Sequence, residues 1–200
     1  VLLMPISAGI YRPYQFDYCY YRHRYEMPLA ALPKGDKVSD MTLHRTGLEK
    51  AEVFQKVYDT VTAAYHGVVK RDLKNWLHLL TVHQGEQIKA VLVKRGEKVA
   101  GYMFYSIDDK TFAVQELMAE ETAARDSLLQ FARHHVTEAE NFSWLAEVWD
   151  KTYLHLQDQK YAGSLQPFMM ARCINVRQAL LQLTDIAADV QGTLSLLIND

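Results

Sequence analysis

Cysteine is nearly missing from this chain: only Cys19 and Cys173 occur, far apart and without metal-binding or redox spacing. That excludes a disulfide framework, fits a reducing cytoplasmic compartment and leaves packing as the expected role of both thiols. An excess of one charge sign is lacking too, since 22 Lys and Arg stand against 24 Asp and Glu for a net charge of -2. Such a balance gives no broad electrostatic footprint for nucleic acid or an anionic membrane, and neither is expected as a partner. No apolar run approaches the roughly 20 residues of a membrane helix, and the opening Val1-Leu2-Leu3-Met4 is stopped by Pro5, so it reads as neither signal peptide nor anchor. The histidines, among them His78 with His83 and the pair His134-His135, lack i, i+4 pairing with acidic partners, and no metal is expected. Neither Ser7 nor Ser164 has a Gly-x-Ser-x-Gly setting, which argues against a hydrolase. Low-complexity stretches and internal repeats are absent.

What remains is a globular composition, 49% hydrophobic over 200 residues, enough for one or two domains with a sizeable core. Val1 to Met4 reads as a strand closed by Pro5, and Ser7-Ala8-Gly9 as the start of a short helix carrying Ile10 through Phe16. Asp17 to Pro28 alternates tyrosines with basic residues at the period of a half-buried strand. Leu32-Pro33-Lys34-Gly35-Asp36-Lys37 is the clearest linker, followed by a strand around Met41 to Thr46. From Leu48 the period becomes helical, with Phe54, Val57, Tyr58, Val61, Ala64 and Tyr65 on one stripe. After Gly67 a second helix is expected to bury Leu73, Trp76, Leu77 and Leu80. Three antiparallel strands are then expected at Gln87 to Lys94, Val99 to Ile107 and Thr111 to Met118, separated by short turns. A helix from Glu120 to His135 places Ala124, Leu128, Phe131 and His135 on one stripe. Past Gly163 come a strand at Leu165 to Ile174, a helix from Asn175 to Leu183 with Asn175 as N-cap, and a strand at Thr193 to Ile198. The fold class is therefore mixed α+β, with a largely antiparallel sheet flanked by helices. The opening inside an apolar strand without Met, and the ending Leu196-Leu197-Ile198-Asn199-Asp200, read as cuts of an internal fragment.

The order helix, helix, antiparallel strands, helix resembles the first half of the GCN5-related N-acetyltransferase (GNAT) fold, and the opening segment resembles its last third. Ile10-Tyr11-Arg12-Pro13-Tyr14-Gln15-Phe16 is similar to that superfamily's late signature, with Gln15 where Gly is usual and where Gly would tolerate positive φ. Val99-Ala100-Gly101-Tyr102, then Val114-Gln115-Glu116-Leu117 and the helix start Glu120-Glu121-Thr122-Ala123, resemble the central domain of enhanced-intracellular-survival acetyltransferases. Phe168-Met169-Met170-Ala171-Arg172-Cys173-Ile174-Asn175-Val176 resembles the start of their sterol-carrier-like third domain. The resemblance implies tandem GNAT-like folds: 1–45 closing a first, catalytic domain, 46–163 a second, degenerate one, and 164–200 opening the sterol-carrier-like domain.

The activity so implied is transfer of an acetyl group from acetyl-coenzyme A, a co-substrate, to a primary amine of an aminoglycoside, polyamine or lysine-type acceptor. Such transfer needs a neutral amine, a cradle for the coenzyme's diphosphate and a proton for the departing thiolate. The cradle is normally a Gly-rich turn at a helix N-terminus, whereas Met118-Ala119-Glu120-Glu121-Thr122-Ala123 has no glycine and two acids, marking a catalytically silent copy. The resemblance gives Tyr11 the role of catalytic proton donor and allows Arg12 a contact with the coenzyme phosphates. Taken as residues alone, Tyr11 is one of twelve tyrosines and packs a strand end, and Arg12 is a solvated arginine. Tyr18, Tyr20, Tyr21 and Tyr25 offer ring faces to a cationic amine or serve packing. The family's terminal carboxylate base is not assigned to Asp200. A homo-oligomer is implied, a hexamer first. The competing function is a non-catalytic module binding a lipid or acyl ligand through the sterol-carrier-like tail.

Overall fold

The computed structural model describes residues 1–34, 40–156, 158–161, 163–182 and 195. Gly35, Asp36, Lys37, Leu183, Asp200 and, apart from Ser195, the strand expected at Thr193 to Ile198 lie outside the described residues. In chain order the elements are β1 (Leu2–Leu3), α1 (Ala8–Tyr11), β2 (Asp17–Pro28), β3 (Met41–Thr46), α2 (Ala51–Thr62), α3 (Leu73–Gly85) and β4 (Lys89–Arg95). They continue with β5 (Lys98–Asp108), β6 (Thr111–Ala119), α4 (Thr122–Arg133), β7 (Asn141–Glu147), β8 (Ser164–Ala171) and α5 (Val176–Leu181). The class is mixed α+β, as expected, and among the described strand pairings only β6 with β7 is parallel. By contacts the chain divides into two compact units, Tyr21–Gln166 and Val1–Tyr20 together with Pro167–Asp200.

In Tyr21–Gln166 the sheet runs in the order β2, β7, β6, β5, β4, β3. The hairpin between β5 and β6 closes with Asp109 at φ 41° and Lys110 at φ 57°, both left-handed, the geometry whose twist matches the flanking strands. Alternation along β5 divides the core in two. Met103 and Tyr105 face α4 and pack with Phe112 and Leu128, whereas Tyr102 and Phe104 face α2 and α3 and pack with Phe54 and Trp76. These are the two faces that alternation along Val99 to Ile107 predicts.

Two local readings are corrected. In α3 the buried residues are Trp76 and Leu80, with Leu79 packed beside them, while Leu73 and Leu77 are 45% and 53% exposed. The apolar positions at 76, 79 and 80 define the face, and Leu73 and Leu77 fall to its side. Strand β7 was not among the expected strands, although Phe142, Trp144 and Ala146 alternate as a strand requires and are buried.

The register of β6 against β5 shifts between Phe104↔Glu116 and Tyr105↔Val114, leaving Gln115 as an extra residue, a β-bulge. Because side chains alternate, the extra residue reverses the phase of β6. Phe112 and Val114 point to the α4 face before the bulge and Leu117 does so after it, so Met118 joins the α2 and α3 face.

In the other unit, β1 pairs antiparallel with β8 through Leu2↔Ala171 and Leu3↔Met170. Arg172 N–H donates to Val1 O at 3.0 Å. Helix α5 is capped by Asn175, whose side chain accepts from Gln178 N–H at 2.9 Å, the N-cap read from the sequence.

Gly101 lies where two strands crowd: a Cβ there would sit 2.8 Å from Met118 O and 3.0 Å from Val93 Cγ1. Gly101→Ala should lower the unfolding free energy by about 1–3 kcal/mol through overpacking against backbone. Gly85→Ala, where a Cβ would meet nothing within 4 Å, serves as the control in the same urea titration and should be neutral or slightly stabilising.

Candidate functional site

Strands β6 and β7 are paired only from Thr111↔Asn141 to Val114↔Trp144. Pairing stops where the Gln115 bulge begins; from there β6 stays with β5 and β7 with β2. A wedge opens between the two strands, holding a cavity of about 270 Å³ lined by the end of β6, the start of α4, Trp144 and Glu147 of β7, and Trp149 to Lys151 beyond it. Tyr65, which follows α2, stacks on Trp149 at 4.2 Å with 11° between planes, and both rings line the cavity.

The polar lining of this wedge is acidic. Glu120 pairs with Lys98, Glu121 with Arg95 at 3.1 Å, and Glu147 with Arg22. Asp150 accepts from Tyr25 Oη at 2.8 Å and from Thr152 N–H at 2.9 Å. Burial, then the Asp150 charge and hydrogen bond, push the Tyr25 phenol far above its ordinary range. Against these four carboxylates the lining supplies Arg125 and Lys151, and Arg125 is itself paired with Asp126 at 2.9 Å. The turn entering α4 has no left-handed residue to form an anion nest, and Glu120 N–H is spent on Ala100 O at 2.9 Å. A diphosphate does not fit this turn.

Beside the wedge, Glu116 is brought onto the α2 and α3 face by the bulge, into a network that sequence reading missed. Its Oε1 accepts from Arg71 Nη1 at 2.9 Å and from Tyr102 Oη at 2.6 Å, and Oε2 accepts from Arg71 Nη2 at 2.6 Å. The guanidinium lies 4.2 Å from the Tyr58 ring centroid and 5.0 Å from that of Trp76. Burial and the Glu116 charge push the Tyr102 phenol well above its ordinary range, which keeps it a donor. The only local signal was one acid inside a strand, in Val114-Gln115-Glu116-Leu117-Met118. Glu116 is fully engaged by these donors, so it is a tie between β6 and the segment before α3.

A family model described as an acetyltransferase (GNAT) domain matches residues 67–177, more than half of the chain. The chain belongs to the GNAT acetyltransferase family. Solved structures share the fold. A protein from Enterococcus faecalis V583 described as a probable N-acyltransferase superposes with a TM-score of 0.77 at 23% identity, over 88% of this chain and 45% of that one. A GCN5-related N-acetyltransferase from Anabaena variabilis ATCC 29413 gives 0.73 at 20% identity, over 90% and 47%. Eis1 from Mycobacterium abscessus gives 0.65 at 18% identity, over 90% and 48%. The chain thus spans a little less than half the length of each of these relatives. No curated protein matches it.

The two site residues expected from this GNAT chain's sequence lie side by side in the unit formed by Val1–Tyr20 and Pro167–Asp200. Tyr11 closes α1, half-buried, with its ring edge-on to Phe16 at 6.2 Å. Arg12 opens a 3-10 turn, is largely exposed and lies 3.8 Å from Asp17. Gln15, in the place where the signature has Gly, does adopt the left-handed region, at φ 62° and ψ 22°. Among the described residues no group of three or more His, Cys, Asp or Glu is placed to hold a metal ion, and no helix is long and apolar enough to cross a membrane.

Removing one partner of the Arg71–Glu116 pair leaves a charge with little water to receive it. Glu116→Leu should cost about 3–5 kcal/mol in urea unfolding, and Arg71→Met combined with Glu116→Leu should cost clearly less than the sum of those two changes made singly. Additive costs would show that the two side chains are not coupled.

His83, packed 5.1 Å from the Phe104 ring, has its pKa lowered by burial, with Arg71 adding in the same direction against Glu116 and Glu86. The unfolded chain therefore binds the proton first as pH falls. The stability from keeping the ring neutral is whole above the ordinary histidine pKa of about 6.5 and is lost as pH drops through the lower folded value. His83→Leu should flatten the fall in unfolding free energy between about pH 7 and pH 5 and change nothing in its slope above that window.

Proposed function

We propose that this chain serves acetyl transfer from acetyl-coenzyme A to a primary amine, as part of an enzyme of the enhanced-intracellular-survival type. In this reading 1–45 closes a catalytic GNAT domain, 46–163 is a second GNAT-like domain that does not hold the coenzyme, and 164–200 opens a sterol-carrier-like domain. The carrying observation is a GNAT architecture over 67–177 whose wedge presents Glu120, Glu121, Glu147 and Asp150 where a diphosphate would need N–H donors and cations. Fold and site chemistry thus point different ways within one domain, and catalysis is assigned to the Tyr11 side.

There the phenol of Tyr11 is the proton donor to the departing thiolate. A phenol with an ordinary pKa of about 10 can supply a thiolate whose acid lies near about 8.5. Arg12, with its guanidinium largely in solvent, is available to the coenzyme phosphates. The acceptor is an aminoglycoside, polyamine or lysine-type amine, and the enzyme works as a cytoplasmic homo-oligomer, hexameric in the first instance.

Two measurements test this. Titrating the 200-residue chain with acetyl-coenzyme A in a thermal-shift assay should give no saturable shift, and a saturable one would sink the non-binding assignment. In the intact enzyme Tyr11→Phe should lower kcat by about 10²–10⁴ with little change in KM, the loss expected for a general acid. Tyr14→Phe, on an exposed ring three residues on, should cost less. Wild-type turnover in Tyr11→Phe would make Tyr11 a packing residue.

A further inference from the structure

A second cavity, of about 350 Å³, lies at the opposite end of α4 from the wedge. Its walls come from the ends of β3 and β5, the start of β4, and the turn after α4. One part is apolar, formed by Leu48, Ile88, Ala90, Ile107 and the ring of Tyr105, which is held by a parallel stack on Phe112 at 4.8 Å. The charged lining groups are Arg45, Lys89 and Glu138, and none of the three is in an ion pair among the described residues. The volume and the mixture of apolar wall with few polar groups match the lower end of small-ligand sites, about 300–1,000 Å³.

Arg45 is positioned rather than loose. His135, 5% exposed, has Nδ1 at 2.8 Å from Phe131 O, which can only accept, so Nδ1 carries the proton. Nε2 then offers its lone pair to Arg45 Nη2 at 3.2 Å, and the guanidinium lies 5.7 Å from the Phe131 ring centroid. This contact uses one of five N–H donors, leaving the rest of a fork suited to a carboxylate. Thr46, the next residue in β3 and opposite Ala90, points to the other face of the sheet, where its hydroxyl is buried without a hydrogen-bond partner among the described residues.

We propose that this cavity is a binding site for a small monocarboxylate with an apolar tail, its carboxylate on Arg45 and Lys89 and its tail against Leu48, Ile88 and Ile107. Two cations against one carboxylate leave a single positive charge, which matches a monoanion and opposes a cation. Glu138 works against a doubly charged phosphate. The end of α4 beside the cavity favours cations, so an anion there depends on Arg45 and Lys89 rather than on the helix. The site is independent of acetyl transfer and of the wedge.

The test is isothermal titration of the 200-residue chain with sodium octanoate, with octylamine as the same tail bearing a cation and with inorganic phosphate as an untailed anion. Octanoate should bind saturably at one site, and octylamine and phosphate at least about tenfold more weakly. Arg45 is exposed, so Arg45→Gln should fold with an unchanged melting temperature and weaken octanoate about 10- to 100-fold, as loss of a charge-assisted hydrogen bond does. Thr46→Val, which removes a hydroxyl on the other face of the sheet, should leave octanoate binding unchanged. Absence of saturable octanoate binding, equal binding of octylamine, or wild-type affinity in Arg45→Gln would each overturn the site.

Discussion

The bulge at Gln115 governs much of what surrounds it. One extra residue in β6 exchanges the faces of every side chain that follows, and so decides that Glu116 meets Arg71 and Tyr102 and that Leu117 returns to the α4 side. The parallel pairing with β7 ends at the same place, so the wedge and the buried ion pair share one cause. Arg71 in turn ties the chain just before α3 to the sheet, and Asp72, the N-cap of that helix, accepts from Asn75 N–H at 2.7 Å. A local irregularity of backbone thus fixes a cavity, a charge pair and the start of a helix.

The turn before α4 keeps its polar groups paired within the chain. A phosphate cradle needs free N–H groups and positive charge converging on one point. In the turn before α4, backbone donation to Ala100 O and the pairs Lys98–Glu120 and Arg95–Glu121 satisfy the groups locally. The turn is a junction that fastens the β4–β5 hairpin to α4.

Legibility in the sequence followed the range of the interactions. Strands β2 and β3 were read with their observed bounds, because alternation and flanking turn formers are local signals. The two faces of β5 were legible for the same reason. Strand β7 carries alternation as clear as theirs, yet it follows a helix without a tight turn and pairs with β6 in parallel, and no neighbouring residues announce that. Leu73 and Leu77 misled because leucine on a helix need not be buried. The Arg71–Glu116 pair could not be foreseen, since its partners are remote in sequence and their meeting depends on the bulge. Tyr11 and Arg12 were named through likeness to a family signature, and Gln15 beside them adopts the left-handed backbone that a glycine takes readily.

The sheet of Tyr21–Gln166 also distributes chain entropy unevenly. Strands β4, β5 and β6 follow one another through short turns, so bringing them together closes small loops. Strand β2 finds its partner across more than a hundred residues, from Pro28↔Asn141 to Arg22↔Glu147. The cost of loop closure grows with the logarithm of loop length, so this is the costliest seam to close and gains the least from local order. It is secured at both ends by polar clasps, Leu29 N–H on Glu140 O at 2.8 Å and Arg22 on Glu147, which hold in place a strand that the neighbouring hairpins cannot template.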